Sequence, residues 1–131
     1  MNEDSTVPTK RLTITLQGKE GAIGIRKNVY RALGSPRFIC LRVSYKQNSL
    51  LLRACESKDL MSFEAPDGFA ENHHINFRMH SLRFVQDMLI SNKLDGDCTY
   101  VLEGDYSKKH NAIIVPISSA VLLNDENNSE D

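Results

Sequence analysis

The order in which short apolar stretches recur constrains this chain more than any single motif in it. In residues 10–17, Leu12, Ile14 and Leu16 alternate with Arg11, Thr13, Thr15 and Gln17, the two-residue period of a half-buried strand. Gly18 and Gly21 bracket a turn, and Ile23 and Ile25 mark a second strand over 22–26. Val29, Tyr30 and Leu33 then follow helical spacing for about two turns before Gly34, a usual helix stop. Two β-rich runs, 38–45 and 49–55, flank Lys46, Gln47 and Asn48 and predict a hairpin. The first order is therefore β-β-α-β-β.

The same order returns in the second half. Residues 60–64 are strand-like, and 65–72, with Pro66 and Gly68, read as a loop. Residues 74–78 repeat the shape of the second strand, and Leu82, Val85, Met88 and Leu89 trace one face of a longer helix. Residues 98–102 and 112–117 predict another hairpin across a polar linker at 105–111, with Pro116 where no ladder N–H is needed. Ile23 with Ile75, Ile25 with Phe77 and Arg26 with Arg78 share one offset of 52 residues. The expected organisation is a flexible lead over 1–9, a first copy over 10–57 and a diverged second copy over 58–120, the copies forming one compact domain. An acidic disordered tail is expected over 121–131.

The formal net charge of -1, from 16 basic and 17 acidic residues among 131, hides a strong asymmetry. Residues 10–53 carry ten Lys and Arg against the single acid Glu20, whereas 54–120 carry six basic and ten acidic residues. Six more acids lie at the ends: Glu3, Asp4, Asp125, Glu126, Glu130 and Asp131. The total is thus silent about partners. Lys10, Arg11, Lys19, Arg26, Lys27, Arg31, Arg37 and Arg42 cluster in sequence around the first β-β-α unit, and the second copy adds Arg78 and Arg83 amid acids. Such a set suits a phosphate backbone; the alternative is a solvated strand face.

Other chemistries find little support. Cys40, Cys55 and Cys98 sit in apolar runs without metal-type spacing and read as reduced core residues of a cytoplasmic protein. His73, His74 and His80 read as surface loop residues rather than metal ligands. Phosphate-binding glycine fingerprints are absent, and Phe38, Tyr45, Phe77 and Tyr100 fall at core or hairpin positions rather than on a stacking platform. No secretion signal or membrane span is expected. No enzyme activity, cofactor or metal is predicted.

The stretch 10–54, most clearly 18–34, resembles the swapped-hairpin domain of AbrB-type transition-state regulators and MazE-type antitoxins. Their motif, G-x-I-x-I-P-K-x-x-R-x-x-L-G, is met by Gly21, Ile23, Ile25, Lys27, Arg31, Leu33 and Gly34. Leu41, Val43 and Leu50 to Leu52 suit the hairpin that follows. Arg26 replaces the proline, and the second copy lacks the Ala-Leu-Gly helix end. The tandem order is similar to that of MraZ-like proteins, without their D-x-x-x-R signature. The resemblance implies a mainly β fold with two short helices (α+β), tandem β-β-α-β-β repeats closing a pseudo-dimeric swapped-hairpin barrel. It also implies a transcriptional regulator that grips duplex DNA through the basic face of the first copy, whose turn and helix start hold the DNA-contacting arginines in the resembled family. The alternative is an antitoxin-like or phage-type protein-binding module with a protein partner; a homo-oligomer is possible in either case.

Overall fold

The computed structural model describes residues 12–56 and 61–123, and its strands follow the alternation of the sequence. β1 (Leu12–Gln17) and β2 (Ala22–Arg26) pair antiparallel across the 18–21 turn, with Ile14 opposite Ile25 and Leu16 opposite Ile23, all four buried. β2 runs directly into α1 (Lys27–Ala32). Gly34, at φ +88, accompanies its end, the left-handed position that glycine occupies without a Cβ penalty. β3 (Phe38–Ser44) and β4 (Ser49–Cys55) form the first hairpin. β5 (Ser62–Glu64), β6 (Asn76–His80) and α2 (Leu82–Ser91) follow, then the second hairpin of β7 (Thr99–Ser107) and β8 (Ala112–Pro116).

The protein is mainly β with two α-helices among the described residues, and the strands make a nearly closed antiparallel barrel. The hydrogen-bonded path runs β5-β3-β4-β8-β7-β1-β2-β6. The halves interleave: the β3–β4 hairpin is flanked by β5 and β8, and the β7–β8 hairpin by β4 and β1. Inward-facing Ile14, Leu16, Ile23, Ile25, Ile39, Leu41, Leu50, Leu52, Leu102 and Ile113 are at most 1% exposed and build one core. Closing the ring leaves its interior wide enough for side chains alone.

The one seam in this path lies between β5 and β6. Segment 65–75 covers it, inserting fully buried Phe69 between Tyr30 of α1 and Phe77 of β6. The three rings meet edge to face, with centroids 4.9–5.9 Å apart, an arrangement that aromatic quadrupoles favour over parallel stacking.

Two expectations are corrected. The polar linker begins later than residue 105, because β7 continues to Ser107. Its residues 99–104 pair with β1, and 105–107 pair with β8. The switch falls at Gly104, where a Cβ would stand 2.4 Å from the Ile114 carbonyl oxygen. The expectation of a disordered tail over 121–131 also fails at its start: Val121–Leu122 form β9, pairing with Tyr100 and Val101 of β7, and residues 124–131 lie outside the described residues. That edge is open to β9 because β8 pairs with β7 only further along. Pro116 ends β8 as expected, and a 3-10 turn (Ile117–Ser119) carries the chain to β9.

Gly21 joins the β1–β2 turn to the start of α2. It has φ +66, its carbonyl accepts a 2.8 Å hydrogen bond from the Ser81 N–H, and a Cβ there would lie 2.4 Å from Leu82 Cα. Gly21→Ala is expected to cost about 2–4 kcal/mol, from backbone strain and overpacking together. Urea denaturation measures the loss; an unchanged midpoint would contradict this packing.

Candidate functional site

Alternation places the charged residues of β2 and β6 on the outer face while Ile23, Ile25, Phe77 and Met79 point inward. Arg26 lies opposite Asn76, and Arg78 opposite Gly24. Directly opposed residues share a face, so Arg26 and Arg78 are diagonal neighbours there, a spacing of about 7–8 Å between Cα atoms. Both are exposed. Arg26 also precedes the first turn of α1 with extended backbone, φ -82 and ψ 160, so the absent proline is replaced by a charge without disturbing the helix start.

Beside Arg26 an open cleft of about 620 Å³ is lined by Thr13, Lys27, Asn28, His73, His74 and Ile75. The two imidazole rings stack, with centroids 5.2 Å apart. Both histidines are exposed loop residues, and no group of three His, Cys, Asp or Glu suited to a metal occurs among the described residues. Sequence reasoning missed their place in this cleft. The available signal was that they stand at the start of the segment aligned with β2, His73 just before it and His74 its first residue.

The remaining basic residues divide. Lys27 is half-buried: its Nζ donates to the Asn72 carbonyl and to Asn72 Oδ1 and lies 4.9 Å from the centre of the Phe69 ring. An Arg31 guanidinium nitrogen donates to the Ala70 carbonyl at 2.6 Å. These two cations therefore bind α1 to segment 65–75. Arg37, just before β3, pairs with Glu64 of β5 at 3.1 Å and covers the Phe38 ring. Arg42 is on the outer face of β3 opposite Leu51, and β3 neighbours neither β2 nor β6. Lys19 is exposed in the 18–21 turn and Arg83 in the first turn of α2. Lys10 and Arg11 lie outside the described residues. The expected single basic cluster is thus distributed, and Arg26, Lys27 and Arg78 are the part brought to the β2–β6 face. An acid adjoins the cleft: Glu103 lies opposite Thr13.

Tyr30 anchors this edge from within. Its ring is buried, its hydroxyl donates to the Pro36 carbonyl at 2.8 Å, and its pKa is raised from 10.0, first by burial and second by the negative Glu71.

No family model, curated protein or solved structure matches this chain. No helix among the described residues is long and apolar enough to cross a membrane.

Because the folded state holds Tyr30 neutral to higher pH than the unfolded chain does, its contribution is complete below pH 10.0 and is lost as pH rises through the raised value. Wild type should therefore lose stability between neutral pH and the alkaline range more steeply than Tyr30→Phe. Parallel denaturation curves across that range test the sign.

Proposed function

We propose that the protein is a small, non-catalytic DNA-binding regulator of the cytoplasm, gripping duplex DNA through the outer face of β2 and β6. The observation that carries this reading is the diagonal pair Arg26 and Arg78, with the cationic cleft alongside. The two arginines match the 52-residue offset between the halves, and Ile25 pairs directly with its counterpart Phe77. On the far side of the ring Leu51 pairs with Ile114 at the centre of the β4–β8 ladder. We read both pairings as lying on one internal two-fold axis. The ten residues of α2 against six of α1 account for part of the larger offset there.

A two-fold protein face suits a two-fold DNA site, as half-sites mirror dimer symmetry in many regulators. Arg26 and Arg78 would then meet equivalent positions either side of the site's centre. An arginine at a phosphate releases counterions, and one at a guanine edge can bond O6 and N7 together. Lys27 and Arg31 contribute by holding the covering segment and cleft wall in place. This departs from the resembled family, whose corresponding residues are expected to contact DNA. The tandem swapped-hairpin kinship is itself part of this proposal.

A protein-binding module is the second reading. It draws on β9, where Val121 and Leu122 are 66% and 54% exposed on an apolar edge strand that has a backbone edge to offer. A stoichiometric protein partner retained after nuclease treatment and lost on Leu122→Asp would support it.

Fluorescence anisotropy with mixed-sequence duplexes tests the leading reading. Arg26→Ala and Arg78→Ala should each weaken binding roughly tenfold, within the 1–3 kcal/mol of a good arginine–base pairing. Where the arginine removed had neutralised a phosphate, the salt slope should also fall by about 0.9. Arg42→Ala should leave affinity unchanged. Absence of binding at ~50 mM salt, or equal losses from all three variants, would overturn it.

A further inference from the structure

Cys40 and Cys55 read from sequence as reduced core residues, and their sulfurs meet at 2.6 Å. The register explains why. Cys55 lies opposite Phe38 and Cys40 opposite Arg53, so the two cysteines share the outer face of β3 and β4 as diagonal neighbours, away from Ile39, Leu41 and Leu52 in the barrel core. Cys40 is 6% exposed, whereas Cys55 is half-buried and lines an open cleft of about 500 Å³ with Arg37, Ala54 and Glu56. One thiol is thus reachable and the other shielded directly behind it. Cys98 is elsewhere, just before β7, where its carbonyl accepts from the Gly18 N–H.

We propose that Cys40 and Cys55 are a modification site, a reversible dithiol–disulfide pair oxidised by a low-molecular-weight disulfide such as glutathione disulfide. Cys55 loses its proton and its sulfur attacks one sulfur of the oxidant, releasing one small thiol and leaving the other half bonded to Cys55. Cys40 then loses its proton and attacks Cys55 Sγ, expelling the second small thiol. Two cysteine thiols are oxidised to one disulfide, and the oxidant is reduced to two thiols that carry both protons. The sulfurs need approach by only about half an ångström to reach disulfide bonding distance, and the two strands must draw together slightly at this diagonal for the bridge to adopt its usual Cα spacing. The bridge would join β3 to β4 at the end of the hairpin remote from the Tyr45 turn. There β3 also pairs with β5, with Cys40 opposite Ser62.

The experiment uses the full chain, folded and reduced, treated with glutathione disulfide and followed by intact mass, thiol titration and peptide mapping. The expected result is a titre falling from the three thiols of the sequence to one, a mass lower by two hydrogens, and a peptide linking Cys40 to Cys55. Dithiothreitol should reverse all three changes. Cys40→Ser should instead retain glutathione on Cys55, Cys55→Ser should leave Cys40 unmodified, and Cys98→Ser should behave as wild type. If Cys40→Ser fails to fold, the wild-type peptide map alone decides. A stable glutathione adduct on wild-type Cys55, a cross-link to Cys98, or a bridge formed only in urea would overturn the proposal.

Discussion

A single strand, β7, hydrogen-bonds to β1, β8 and β9, and the barrel depends on its doing so. Six of its residues pair with β1, which begins the described chain, before it turns at Gly104 and pairs with β8. The β1–β7 ladder joins residues more than ninety positions apart in sequence, as Leu12 with Gly104 shows. Such contacts repay their loop-closure cost only when the core forms with them. The turn at residue 104 requires glycine because the Ile114 carbonyl occupies the space of a side chain.

What the ring leaves unpaired is as consequential as what it pairs. The seam between β5 and β6 is covered by irregular chain, and irregular chain needs partners for its carbonyls. Lys27 and Arg31 supply them at Asn72 and Ala70, while Phe69 supplies the apolar contact. The residues that read most readily as nucleic-acid contacts by sequence thus act as structural ties. The cleft that opens beside Arg26 has the same segment as one wall, through His73, His74 and Ile75.

Much of the fold was legible because its signals are local. Alternation in Leu12, Ile14 and Leu16 marked β1, the spacing of Val85, Met88 and Leu89 marked the buried face of α2, and Pro116 marked the end of β8. The missed features were non-local. The extension of β7 to Ser107 depends on β8 receiving it, and β9 forms because β7 offers an edge that nothing in residues 121–123 announces. The candidate site was half legible: Arg26 and Arg78 were both singled out, but their being neighbours is a property of the β2–β6 register.

By itself the sequence determined where both helices and the strands other than β9 lie, which face of each is apolar and how charge divides between the halves. All of these are set by neighbours within a few positions along the chain. Only the tertiary structure decided which strands adjoin beyond the hairpins. It brought Arg26 to Arg78, separated both from Arg37 and Arg42, and set Cys55 against Cys40. The physical reason is register: a shift of one residue in any ladder would turn its apolar side chains out of the core, so the requirement to close one buried interior selects the pairing.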